Sequence, residues 1–229
     1  MAAMANKAQR APRRTEALSR DVIVQAAVAI LDAEGEEALT LRALTVRLAT
    51  GYGAIYHHVA DRDDLLGAAT DHVIGRVVAD IGGVADPREA LRAVAMGLFD
   101  AIAAHPWVGA QLTREPWRPA LLDVYESVSA NLHALDVPER AVPDSAGALV
   151  NYILGVAGQN AANARALAAS KLDRETFLAN VAARWAQLDP VRYPAMHKAG
   201  RHLREHDDRE QFLAGIDLIL AGIAAVNHT

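Results

Sequence analysis

Residues 40–66 read TLRALTVRLATGYGAIYHHVADRDDLL, and their apolar positions decide the fold. Leu39, Leu44 and Leu48, then Ile55 and Val59, then Leu65 and Leu66 recur at spacings that give each of several short helices one buried face. Thr40 stands where an N-cap belongs. Asp61 opens the next helix, with Asp63 and Asp64 in its first turn, where acids suit the helix dipole. Between the first two helices lies Ala49-Thr50-Gly51, and the second, about Tyr52 to His58, carries Tyr56, His57 and His58 beside only two core residues. A helix so short and polar has little to bury. Two short helices, a tight turn and the start of a third form the pattern by which a helix-turn-helix offers a helix to the major groove of DNA.

Upstream, Ser19 is a plausible N-cap for a helix to about Glu34, with an apolar stripe of Ile23, Ala26, Ala27, Ile30 and Leu31 and Gly35 placed as its C-terminal cap. Ahead of it, Lys7, Arg10, Arg13, Arg14 and Arg20 face Glu16 alone, in a stretch almost without large apolar residues. Residues 1–18 therefore read as a disordered basic arm.

In its order of helix, Gly35, Leu39-Thr40, Leu44, Leu48, turn, Gly53, Ile55-Tyr56, His58-Val59, Arg62 and Leu65-Leu66, the segment 19–66 resembles the DNA-binding domain of the tetracycline-repressor (TetR) family of bacterial transcription regulators. Two positions depart from the family pattern: Ala49 replaces the usual turn glycine, and Thr45 replaces an alanine in the first short helix. The resemblance implies that Thr40, Tyr56, His58 and Arg62 hold the phosphate backbone and so set register. It likewise implies that Arg42, Tyr52, Gly53 and His57 approach base edges, with Thr50 and Gly51 beside them in the turn. An arginine there can give a guanine two hydrogen bonds, worth about 1–3 kcal/mol of discrimination. Residues 1–62 carry a net charge of only +1, so positive potential has to be local to the docking face.

The remainder carries a net charge of −6, which excludes it as a second nucleic-acid binder. It reads as consecutive helices, from Asp63, Pro87, Pro106, Arg118, Pro143, Arg174 and Asp208 onward, broken at Gly82-Gly83, at Asp136-Val137-Pro138 and at Asp189-Pro190. The expected fold is all-α: a three-helix DNA-binding domain at 19–66, with the next helix continuing to about 81, and a larger helical ligand-binding and dimerisation domain at 67–229. A chain of 229 residues with 52% hydrophobic and 5% aromatic residues suits it. The absence of cysteine excludes disulfides and thiolate metal sites. No apolar run long enough for a signal peptide or a membrane span is visible, so a cytoplasmic protein, at the nucleoid when DNA-bound, is expected.

Two stretches, 149–158 and 212–223, set glycines into apolar helices, where each glycine costs about 1 kcal/mol relative to alanine. Close helix approach is the simplest return for that cost. Because a helix-turn-helix regulator generally reads two half-sites as a two-fold dimer, Leu149, Ile153, Val156, Phe212, Gly215, Ile216, Ile219 and Ile223 are assigned to a subunit interface. The segment DREQFLAGIDLILAG also resembles the family's dimerisation helix, and HPW at 105–107 resembles a motif of its C-terminal domain. The family implies a small-molecule effector that releases a palindromic operator. Candidate lining residues are Met96, Phe99, Trp107, Trp117, Tyr125 and Tyr152, with His72, Asn160 and Asn163 as polar handles.

Other chemistry falls away. His202 and His206 have a metal-like i, i+4 spacing, but Arg201, Arg204, Glu205, Asp207 and Asp208 around them describe a solvated face. Gly51-Tyr52-Gly53 is not followed by the third glycine of a phosphate loop and no strand precedes it. With no nucleophile elbow and no cluster of serine, histidine and acid, neither an enzyme nor a cofactor or metal is expected. The alternative is a helical small-molecule-binding or interaction protein whose helix-turn-helix no longer binds DNA strongly.

Overall fold

A computed structural model describes residues 18–81 and 83–227, and among these the chain is all-helical. The basic arm expected at residues 1–18 lies, but for Leu18, outside the described residues. Helix α1 (Arg20–Glu34) is capped by Ser19, whose Oγ accepts from Val22 N, and ends at Gly35, where φ is +82°. After a single 3-10 turn (Glu36–Ala38), Thr40 caps α2 (Leu41–Leu48) by accepting from Ala43 N at 3.1 Å. Helix α3 (Tyr52–Tyr56) follows a three-residue turn, and α4 (Arg62–Ile81) starts where Asp61 Oδ1 accepts from Asp64 N. These starts agree with the sequence because capping is settled within four residues.

The turn itself answers the departure at position 49. Ala49 takes the left-handed conformation, φ 48° and ψ 44°, which explains a glycine preference there, since Cβ makes this region cost about 1–2 kcal/mol. Ala49 is exposed, so its methyl contributes no burial in return. An Ala49→Gly substitution is expected to raise stability by up to about 1 kcal/mol, relief of strain exceeding the extra freedom of the unfolded chain; urea denaturation of the two proteins checks it.

The larger part consists of α5 (Pro87–Ala104), α6 (Pro106–Arg114), α7 (Pro119–Ala134), α8 (Val142–Ser170), α9 (Arg174–Ala186), α10 (Pro194–Gly200) and α11 (Asp208–Asn227). Proline opens α5, α6, α7 and α10 and stands in the first turn of α8, where its missing N–H costs nothing. The short α10 has no counterpart in the sequence reading; its seven residues are too few to show a period. Helix α5 is the central element, packing on α4, α6, α7, α8 and α11. Its face of Leu91, Val94, Ala95, Leu98, Phe99 and Ile102 is buried in a core that runs on through α1 at one end and α11 at the other. Helix α4 belongs to both ends, packing on α1 as well as on α5 and α7.

Several residues expected at a subunit interface lie inside this core instead. Leu149, Ile153, Phe212 and Ile216 are each at most 2% exposed within the single chain. Phe212 lies between the Phe99 ring, 4.6 Å away, and the Tyr152 ring, 5.7 Å away. Gly215 has an intrachain reason too: a Cβ there would collide with the Tyr152 hydroxyl. Val156, Ile219 and Ile223 are half-buried against the core. The stretches 146–158 and 212–226 are apolar or small nearly all round, so periodicity could not tell the arc that packs at home from the arc left outside. The outer arcs carry Asn151, Gly155, Gln159 and Ala162 on α8 and Ala214, Leu218 and Ala221 on α11, all exposed.

Candidate nucleic-acid interface and effector domain

Helix α3 is held by a small number of buried residues. Of its five residues only Ile55 is buried, joined beneath by Leu39, Leu44, Val59 and Leu65. Tyr52 and Tyr56 remain 50% and 54% exposed, and Gly51, Gly53 and His57 are exposed beside them. Thr50 and His58 are half-buried. A tyrosine left that open on a rigid helix presents a hydroxyl and a ring to whatever docks. The far end of α3 is clamped by Arg20, which donates to His58 O at 2.6 Å and to Asp64 Oδ1 at 2.9 Å. Asp64 in turn accepts from Ala60 N, and that hydrogen bond, before the Arg20 contact, holds its carboxyl below the usual aspartate range. Arg20 thus works inside the domain.

Arg42 is exposed on α2. Val46, one turn on, is 76% exposed, and Arg47 adjoins it. Both join Thr40 and Arg42 around one shallow groove, and sequence reasoning missed them, although the i, i+4 step from Arg42 to Val46 was a usable signal. The Thr40 oxygen is engaged as an N-cap acceptor, which leaves its hydroxyl proton for an outside acceptor. Arg62 departs most from the expected phosphate contact. Its Nε donates to Leu39 O at 3.0 Å and its Nη2 to Glu36 O at 2.6 Å, so in the unbound chain it ties the turn ahead of α2 to α4.

A second set of contacts joins α1 and the 3-10 turn after it to α6. Asp32 Oδ1, near the end of α1, accepts from Trp107 Nε1 at 2.8 Å and meets His105 Nδ1 at 2.7 Å. Glu36 takes both Arg114 nitrogens at 3.0 Å and accepts from Gln111 Nε2 at 3.2 Å. The Arg114 hydrogen bonds hold the Glu36 carboxyl below the ordinary glutamate range. A folded-state pKa that is lowered contributes stability above the unfolded value and loses it as the pH falls through the lowered one. Stability carried by this contact is therefore expected to fade below about pH 4, and Glu36→Gln to make acid unfolding less steep in that window, read by circular dichroism against pH.

The candidate effector residues divide. Trp107 is buried with its indole N–H spent on Asp32, and Phe99 and Tyr152 fill the core around Phe212. Trp117 is 68% exposed between α6 and α7. Met96 and Tyr125 are half-buried against the core, and His72 is half-buried on α4. Only Asn160 and Asn163 of the set line a described cavity, about 490 Å³ in volume, between α8, α9 and the 3-10 turn at Leu203–Glu205. Its other walls, Phe177, Leu178, Val181 and Trp185 among them, come from a helix whose role sequence reasoning left open. Among the described residues no group of three or more histidines and acids could hold a metal ion, and no single helix is long and apolar enough to cross a membrane.

Comparison with known proteins agrees with this architecture. A family model described as "Tetracyclin repressor-like, C-terminal domain" matches residues 83–227. An HTH-type transcriptional regulator of Saccharopolyspora erythraea is 33% identical over 139 residues, 60% of this chain and 59% of its own length, so the chain spans about three fifths of that relative. The transcriptional regulator SCO7222 of Streptomyces coelicolor, a TetR, is 47% identical with a TM-score of 0.83, over 92% of this chain and 99% of that one. ActR of Streptomyces coelicolor, solved in complex with actinorhodin, shares the fold at 24% identity and a TM-score of 0.75, over 92% of this chain and 97% of its own. These relatives are regulators rather than enzymes. With a repressor-type model over most of its length and a capped helix-turn-helix ahead of it, the chain belongs to the tetracycline-repressor family of transcriptional regulators.

Proposed function

We propose that the protein is a homodimeric cytoplasmic repressor that reads a palindromic operator through α2 and α3 and is released by a small molecule. The observation that carries the DNA-binding part is α3 itself, a five-residue helix anchored by one buried side chain and offering Tyr52 and Tyr56 outward, with His57 exposed just beyond its end. Support for repression, rather than activation, is the repressor-like description of the matching family model. Support for the dimer is the outer arc of α8 and α11, where Gly155 and Gly222 have nothing within reach of a Cβ and Leu218 is 74% exposed. Support for effector control is the structure of ActR with actinorhodin, together with the cavity in this chain's own second half. An effector acts only by favouring one arrangement of the dimer over another. The Asp32–Trp107 and Glu36–Arg114 contacts are the proposed path by which a shift of α6 reaches the reading head.

The test is selection of bound sequences from a random double-stranded DNA pool at physiological salt. Recovery of a palindrome with half-sites about one helical turn apart is expected. Recovery of nothing above background would favour the alternative, a helical binding protein without a DNA target. On the recovered operator, Tyr56→Phe should weaken binding to every sequence alike, while Arg42→Ala should relax preference at one position per half-site by about 1–3 kcal/mol. Equal loss on all sequences from both changes would overturn that division of roles.

A further inference from the structure

Helix α8 outruns the core: Ala161 is its last buried residue, yet the helix continues to Ser170 before α9 returns beside it. The overhang borders a partly open cavity of about 490 Å³ instead of packing shut, and that volume falls within the roughly 300–1,000 Å³ typical of small-molecule sites. Its walls are of two kinds. Phe177 and Trp185 from α9 and Leu167 from α8 supply flat and apolar surface. Gln159, Asn160 and Asn163 supply carboxamides that make no side-chain hydrogen bond to any described residue, and the same three line an adjoining hollow of about 190 Å³.

The charged groups of the wall are already matched with each other. Asp208 binds Arg174 at 3.0 Å and His206 Nε2 at 3.1 Å, and Arg174 also donates to the His206 carbonyl at 2.7 Å. A charged ligand would find no counter-charge here, whereas a neutral one with donors and acceptors would find three amides able to serve as either. We propose that this cavity binds a neutral, flat aromatic molecule with hydrogen-bonding groups on its edge, the rings against Phe177 and Trp185 and the edge on Asn160 and Asn163. The site rests on the reading of the protein as effector-controlled, and names the effector's chemical class.

The probe is 1,8-dihydroxyanthraquinone, titrated into the full chain by calorimetry and by quenching of tryptophan fluorescence; with no cysteine present, thiol addition to the quinone cannot mimic binding. Saturable binding is expected, weakened about tenfold or more by the double change Asn160→Leu and Asn163→Leu, and lost in Ala164→Trp, which fills the cavity from an exposed position on α8. Anthraquinone-2-sulfonate, of similar shape but anionic, should bind at least about tenfold more weakly. No saturable binding of the neutral probe, equal binding of the sulfonate, or binding unchanged in Ala164→Trp would each overturn the proposal. Operator binding is followed in parallel. A probe that obeys these rules while the DNA complex persists supports the site and overturns the effector-release reading alone.

Discussion

On the proposed two-fold contact through α8 and α11, replacing Leu218 by glutamate is expected to make the protein monomeric and to lower its affinity for a palindromic operator by about 10²–10⁴-fold, the advantage a second linked DNA-binding unit confers. Leu218 is 74% exposed on α11, in line with Ala214 and Ala221, and α11 lies beside α8, whose outer arc carries Gly155 and Gln159. A leucine among small residues has no intrachain reason to be there. At a two-fold interface the substitution sets carboxylates of both subunits on the same apolar surface, where neither finds a partner. Because the residue contributes almost nothing to the chain's own core, the monomer should keep its helical content and its cooperative unfolding. Sedimentation velocity and operator titration of Leu218→Glu check both halves. A dimer that persists with undiminished DNA affinity would move the subunit contact elsewhere.

Phe212→Ala is expected to cost about 3–5 kcal/mol of stability and, at roughly 2–4 °C per kcal/mol for a chain of this size, to lower Tm by about 6–20 °C. The ring is fully buried, stacked on Phe99 and Tyr152, and its own carbonyl accepts the Tyr152 hydroxyl at 3.2 Å. Removing it opens a void where α5, α8 and α11 meet, and Tyr152 cannot swing in to fill it without losing that hydrogen bond. Thermal unfolding of the two proteins is the measurement. A loss under about 1 kcal/mol would mean that α11 leans on the core far less than its burial implies. The pair of substitutions separates the two faces of one helix, Phe212 on the buried side and Leu218 on the exposed side.

The legible parts of this protein were those settled over a few residues. Ser19, Thr40 and Asp61 cap the helices they were expected to cap, Gly35 takes the positive φ of a helix end, and Leu39, Leu44, Ile55, Val59 and Leu65 form the core under the reading head. Caps and amphipathic periods are local physics, and they identified an all-helical chain with a helix-turn-helix before any contact was known. The second half offered less. In the stretches 146–158 of α8 and 212–226 of α11 nearly every position is apolar or small, so no period distinguishes inside from outside. Only packing against α5 turned Leu149, Ile153, Phe212 and Ile216 inward and left Leu218 and Gly155 outside. Nothing local announced that Asp32 of α1 would take the Trp107 N–H, or that Arg62, expected at a phosphate, would in the free chain hold the Leu39 and Glu36 carbonyls. The cavity at Asn160 and Asn163 exists because α8 overruns its core and α9 folds back beneath the overhang. Sequence alone determined all the helices but the short α10, together with their caps and the helix-turn-helix, because each depends on neighbours within a turn or two. The tertiary structure decided which face of each apolar helix is interior and where space remains, because those depend on residues brought together from far along the chain.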